Sequence, residues 1–219
     1  MNPTMIALMV RVPLPGKVKT RLIPRLGPAG ACRLYQAMVE DILDQIAASG
    51  IPLSLLYTGG EVDQLPKSWQ EKAAVCLAQQ GQDLGARMQH GLITCHQCAE
   101  SGILIGSDIP DMTSTVLVQA REALSRGPVV LAPAKDGGYC LLATIRGVSV
   151  QSVMTEMTWS TDQVLAETLR RLHAEGQEVA LLPALRDLDT AEDLCAYWQS
   201  PNPEALHTNQ VLASLTYPL

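Results

Sequence analysis

The sequence predicts an α/β fold, a mainly parallel mixed sheet with helices on both faces. Three observations carry that prediction. Short apolar runs alternate with longer segments of helical spacing along the 219 residues. Some of those runs, GILIGS above all, are apolar throughout, as strands covered on both faces are. The chain is 47% hydrophobic and 17% charged, which supplies a good globular core.

The elements follow in order. Met5 to Arg11 is a compact apolar run, a buried strand. Pro13 to Leu26 holds three prolines and a glycine and predicts a long loop. Pro28 starts a helix that LYQAMVEDILDQIAASG carries to Gly50. PLSLLYT is a second strand, SWQEK a short helix and AAVCLA a third strand. QQGQDLGARM is a polar turn entering a helix that runs to about Glu100. GILIGS ends in Asp108-Ile109-Pro110-Asp111, and a helix follows from about Thr113 to Arg126. PVVLAPA ends at Lys135-Asp136-Gly137-Gly138, and YCLLATI returns as an antiparallel insertion. Ser160-Thr161-Asp162-Gln163 has capping-box spacing and opens a helix ending near Gly176. EVALLP is a late strand, and Thr190-Ala191-Glu192-Asp193 starts a last helix. Residues from about 200 to 219 include Pro201 and Pro203 near their start, lack firm periodicity and predict an irregular tail. With no repeat, low-complexity tract or linker, the expected organisation is one domain over residues 1–219.

Charge is distributed unevenly. The net charge is −6, yet no acidic residue precedes Glu40. Arg11, Lys17, Lys19, Arg21, Arg25 and Arg33 give the first 39 residues +6. So local a basic segment on an acidic chain excludes general nucleic-acid binding and suits a small anion. No apolar run reaches membrane-span length, and Met5 to Val10 is too short for a signal-peptide core, which predicts a cytoplasmic protein. The six cysteines lie mostly in apolar patterns and read as reduced thiols rather than a disulfide framework. Cys95 and Cys98 form a lone C-x-x-C without the second pair that structural zinc requires. The four histidines show no ligand spacing, and there is no G-x-S-x-G elbow.

Three polar clusters stand at the carboxyl ends of predicted strands, where ligands bind in open α/β sheets. In PLPGKVKTRL, cations and exposed backbone N–H groups suit a phosphate chain. It is not a nucleotide-triphosphatase P-loop, because Arg11 stands where that motif has its first glycine. In GSDIPDM, Asp108 ends a buried strand and is a metal-ligand candidate, or alternatively caps the next helix. In KDGGY, the glycines permit close approach to a ligand or simply form a hairpin turn. Asp187 and Asp189 alternate in ALRDLDTAED, so in extended chain they point the same way, and either could join Asp108 at a metal.

VRVPLPGKVKTRL, QGQDLGARM, GSDIPDM, APAKDGGYCLLA, MTWSTDQV and DLDTAEDL, in that order, resemble a family of small bacterial nucleotide-diphospho-sugar-transferase-like proteins. Members are commonly described as glycosyltransferases, some linked with arsenosugar biosynthesis. The family is similar to the 2-phospho-lactate guanylyltransferases. The resemblance covers about residues 5 to 195 and implies a GT-A type, Rossmann-like three-layer α/β/α sandwich. It implies a nucleotide site of Arg11, Pro15, Gly16, Lys17, Lys19, Thr20, Arg21, Gln79, Gly81, Asp83, Arg87 and Ser107. Within it Lys19 and Arg21 face the phosphates and, with Asp108, act in catalysis. It implies an acceptor side of Asp136, Gly137, Gly138, Tyr139 and Trp159. It implies Mg²⁺ or Mn²⁺ on Asp108 with Asp187 or Asp189. Ala86 departs from the family pattern, which has an acid there, and Arg11 replaces a lysine without changing the charge.

The reaction expected on these grounds is Mg²⁺-dependent nucleotidyl transfer from a nucleoside triphosphate to a small phosphorylated or sugar-like acceptor. The cationic loop suits a departing pyrophosphate. Glycosyl transfer from a nucleotide-diphospho-sugar is the alternative, and a nucleotide-binding protein without turnover the second. The expected partners are these small molecules, with neither nucleic acid nor membrane, and with room for a homodimer.

Overall fold

The computed structural model describes residues 3–215. In chain order the elements are β1 (Thr4–Arg11), α1 (Ile23–Ser49), β2 (Leu53–Thr58), α2 (Lys67–Lys72), β3 (Val75–Ala78), α3 (Leu84–Cys98), β4 (Ser101–Ile105), α4 (Ser114–Ala123), β5 (Val129–Pro133), β6 (Tyr139–Ile145), α5 (Gln151–Met154), α6 (Val164–Ala174), β7 (Val179–Leu181), α7 (Ala191–Gln199) and α8 (Leu206–Ser214). The strands form one sheet in the order β3-β2-β1-β4-β6-β5-β7. β1 pairs in parallel with β2 and β4, β2 with β3, and β5 with β7. β6 is antiparallel to both β4 and β5, as the Gly-Gly entry to YCLLATI predicts.

Strand alternation divides the core between two faces. Ile6, Leu8 and Val10 of β1 point into the cluster that also holds Leu34, Met38, Ile42 and Leu117, from α1 and α4. Ala7 points into the other, with Met88 and Leu92 of α3, Val153 of α5 and Leu172 of α6. β4 divides likewise, Ile103 and Ile105 against Leu104. The result is the three-layer α/β/α sandwich. β1 is flanked by β2 on one side and β4 on the other, so the chain direction of sheet growth reverses between β1 and β4. That reversal opens a crevice at their carboxyl ends.

Two boundaries differ from the sequence reading. Gly27 interrupts α1 with φ 68° and ψ 167°, and the regular helix begins at Pro28, while residues 23–26 add a helical turn to the supposed loop. The capping box at Ser160–Gln163 does not form. Ser160 is left-handed (φ 63°), α6 begins only at Val164, and no side chain caps it. The cause is the β5–β6 turn: Leu165 N donates to Gly137 O at 2.9 Å, and Gly137, at φ 90°, lets the Asp162 backbone approach so closely that any Cβ would collide with it.

The expected irregular tail is also corrected, since it contains α8. Its N-terminal amides are capped from another helix: the buried Asp41 of α1 accepts from His207 N and Thr208 N, both at 2.8 Å. The capping box at Thr190 does form, with Asp193 reciprocating. Removing both acceptors at Asp41 orphans two helix-terminal donors. Asp41→Ala should therefore lower the unfolding free energy by about 1–3 kcal/mol in chemical denaturation. An unchanged denaturation midpoint would contradict this role.

Candidate active site

The basic loop is structured, not a solvated strand of incidental charge. Val18 and Leu22 are buried and pin it to the core. Lys17 N donates to Leu14 O, Leu22 N to Lys19 O, and the Cys32 thiol to Pro13 O. Between the two anchors Lys19 adopts φ 46° and ψ 46°, a left-handed conformation uncommon for a residue with a side chain. This turn drives the ammonium inward, leaving the side chain 4% exposed.

Lys19 Nζ donates to Asp108 Oδ2 at 3.0 Å and to Asp189 Oδ1 at 3.2 Å. Arg21, 68% exposed, donates to the other oxygen of Asp189 at 2.9 Å. Asp108 therefore serves the ion pair and not a helix cap, a role that Thr113 fills for α4. The segment carrying Asp187 and Asp189 is held beside β4 and β5 by Leu188 N to Asp108 O and Leu185 N to Pro133 O. Asp111 is excluded from the site: it makes a two-pronged pair with Arg186, at 2.6 and 2.7 Å.

Two cavities meet at Asp108. The first, about 450 Å³, is lined by Arg11, Gly16, Lys17, Lys19, Thr20 and Arg21, with Tyr35, Ser107, Asp108 and Asp189. Tyr35 accepts from Arg11 N at 2.8 Å and lies 3.0 Å from Ser107 Oγ, which joins the ends of β1 and β4. Burial pushes the Tyr35 hydroxyl up to about 12, so it stays protonated. The second cavity, about 390 Å³, is walled by Met9, Leu84, Met88, Tyr139, Cys140 and Trp159, with Asp108, Asp136, Gly138 and Asp187 at its polar end. Asp187 and Asp189 thus do not act at one spot: they flank Asp108 from different cavities, with Leu188 buried between them.

The remaining expected site residues lie elsewhere. Pro15 is exposed and lines neither cavity, and Gly137 serves the α6 contact. Gln79 gives its amide protons to Val10 O and Leu56 O, at 3.1 and 2.9 Å, tying together the ends of β1 and β2. Asp83 caps α3 by accepting from Ala86 N, and Arg87 donates to Gly81 O. That turn therefore carries a structural explanation of its own. Met9, Leu84, Met88 and Tyr35 were missed because their spacing is that of ordinary core residues.

The acidic wall bears on metal binding. Among the described residues no three His, Cys, Asp or Glu side chains are grouped to hold an ion alone. Burial raises the Asp187 carboxyl above its usual range, and the neighbouring charges of Asp136, Asp193 and Asp108 raise it further. Asp189 already shares two cations, whereas Asp187 stands among like charges. Asp108 with Asp187 therefore suits a divalent ion that completes its shell with phosphate oxygens.

A carboxyl raised on folding costs stability once it ionises, so stability falls as pH climbs through its raised value. Asp187→Asn should raise the Tm of the metal-free protein at pH 7, by an amount that shrinks as the pH is lowered and the wild-type carboxyl becomes protonated. A lower Tm at pH 7 would contradict this charge surplus.

Comparison with known proteins agrees with this architecture. A protein of Desulfovibrio desulfuricans G20, provisionally assigned as a nucleotide-diphospho-sugar transferase, is 31% identical with TM-score 0.88, covering 98% of this chain and 95% of its own. A cytidylyltransferase of Leptospira borgpetersenii is 13% identical with TM-score 0.58, covering 98% and 94%. Glucosyl-3-phosphoglycerate synthase of Mycobacterium tuberculosis, solved with Mn²⁺, UDP and glucosyl-3-phosphoglycerate, is 12% identical with TM-score 0.52, covering 98% and 78%. The last two likenesses concern the fold alone. No functionally curated protein matches the sequence. The model of a bacterial family matches residues 42–161, and with the full-length similarity to the Desulfovibrio protein this establishes that the chain belongs to that family, described as uncharacterized protein conserved in bacteria (DUF2064).

Proposed function

We propose that the protein is a divalent-metal-dependent transferase acting on a nucleotide-activated donor, and that it transfers a nucleotidyl group from a nucleoside triphosphate to a small hydroxyl acceptor. The observation that carries this reading is the basic cavity. Four cationic residues, Arg11, Lys17, Lys19 and Arg21, line one concave surface ending at Asp108. That concentration of charge matches the need of a departing pyrophosphate more than that of a departing nucleoside diphosphate. The fold is shared with a cytidylyltransferase and with glucosyl-3-phosphoglycerate synthase, so it accommodates either transfer.

In this reaction the acceptor oxygen attacks the α-phosphorus, the bond to the β-phosphate bridging oxygen breaks, and the hydroxyl proton is lost. Lys19 and Arg21 hold the leaving phosphates, and Asp108 with Asp187 would hold Mg²⁺ or Mn²⁺. When bound, that ion would neutralise charge on the phosphates. Glycosyl transfer from a nucleotide-diphospho-sugar is the second reading. It is favoured by the assignment of the 31%-identical Desulfovibrio protein.

Product analysis separates the two. Nucleoside triphosphates and nucleotide-diphospho-sugars are screened with Mg²⁺ by thermal shift, then the stabilising donor is followed to product. Pyrophosphate release supports nucleotidyl transfer, release of a nucleoside diphosphate supports glycosyl transfer, and stabilisation by no nucleotide rejects both.

Arg21 is the clean probe of the phosphate role, because it is exposed, whereas Lys19 is buried in the ion pair. Arg21→Ala should weaken nucleotide binding by about 10- to 100-fold, the worth of one charge-assisted hydrogen bond, with little change in Tm. Asp108→Asn should abolish the Mg²⁺ dependence of that binding. Calorimetric titration checks both, and unaltered affinities would remove these residues from the site.

A further inference from the structure

The second cavity has a chemical make-up that selects its occupant. Asp108, Asp136 and Asp187 place three carboxylates on it, and its lining contains no Lys, Arg or His. The adjoining cavity is predominantly cationic, with four cations against the carboxylates of Asp108 and Asp189, and among the described residues the two share only Ser107 and Asp108. Anions such as phosphates and carboxylates are recognised by cations or converging N–H donors. Among the described residues the second cavity is lined by no cation. Its two glycine amides are already engaged, Gly106 N with Cys140 O at 3.2 Å and Gly138 N with Asp136 Oδ1 at 2.9 Å.

The rest of the wall is apolar. Met9, Leu84, Met88 and Val164 surround the partly buried indole of Trp159. At about 390 Å³ the cavity lies within the range of small-molecule sites, about 300–1,000 Å³. A carboxylate offers about four lone-pair positions, and Gly138 N takes one of those of Asp136. Carboxylates beside an aromatic face suit a molecule with many hydroxyl donors and exposed C–H groups.

We propose that this cavity takes an uncharged polyol of sugar size, free of phosphate and carboxylate, whose carbon skeleton lies on Trp159 and whose hydroxyls donate to Asp136. This deepens the transferase reading above and rests on it, since the polyol is the group that receives the transferred moiety. It also narrows the acceptor expected from the sequence, which included phosphorylated compounds. A phosphorylated acceptor would bring negative charge to Asp136, and among the described residues no cationic side chain lines this cavity to meet it.

The test compares matched pairs: glycerol with glycerol 3-phosphate, and glucose with glucose 6-phosphate. Binding is followed by saturation-transfer NMR and calorimetry, on the protein alone and on the protein loaded with Mg²⁺ and the stabilising nucleotide. The uncharged member of at least one pair should bind about tenfold or more tightly than its phosphate. Trp159→Ala should weaken the uncharged member. Asp136→Asn keeps an acceptor for Gly138 N and should narrow the preference, and Asp136→Lys should reverse it. Equal or tighter binding of the phosphates, or a ratio untouched by both Asp136 variants, would overturn the proposal. Preference for ethanolamine over every polyol would overturn its uncharged character, and nucleotide binding without binding of any polyol would overturn the polyol itself. The transferase reading fails separately, in the nucleotide screen, if no donor stabilises the protein.

Discussion

The ammonium of Lys19, shared between Asp108 and Asp189, is the contact on which the geometry of the crevice depends. A buried charge is costly unless paired, and removing one partner of such a group destabilises by about 3–5 kcal/mol. Here one cation links three parts of the chain: the loop after β1, the end of β4, and the segment before α7. Those parts border the point where the sheet reverses its direction of growth. The left-handed turn at Lys19 is a local cost, of order 1–3 kcal/mol, that the two carboxylates and the flanking burial of Val18 and Leu22 offset.

Lys19 and Arg21 therefore differ in what they can do, although they stand two residues apart. Lys19 is enclosed and held by two carboxylates, so it is a fixed positive point. Arg21 is 68% exposed and meets only Asp189, so a phosphate can replace that partner at small cost, because exposed ion pairs contribute about 0–1 kcal/mol. Within the basic opening of this acidic chain, Lys19 is thus a fixed cation and Arg21 an exposed one, and both meet Asp189.

Much of this was legible in the sequence, for definable reasons. β1 and β4 are covered on both faces, so their sequences are apolar throughout and their ends are marked by abrupt polarity, Arg11 and Asp108. The start of α6 was not legible, because it is set by the carbonyl and the missing Cβ of Gly137 across space. α8 was hidden because its cap is Asp41, more than 160 residues away in the chain. Alternation suggested that Asp187 and Asp189 point the same way, but it could not reveal that they line different cavities on either side of Asp108. The apolar cavity wall was invisible for a simpler reason: Met9, Leu84 and Met88 follow the same periodicity as residues that only fill the core.

The two cavities also constrain where chemistry can occur. Among the described residues only Ser107 and Asp108 border both, so under the proposed function a donor in the basic cavity and an acceptor in the acidic one would meet at the end of β4. Under the proposed reaction, a leaving phosphate chain near Lys19 and Arg21 lies in the cationic cavity and a nucleophile beside Trp159 lies in the acidic one. Displacement at phosphorus requires the entering and leaving oxygens to lie roughly in line. Under that proposal, the segregation of charge on either side of Asp108 favours phosphates in the cationic cavity over the acidic one.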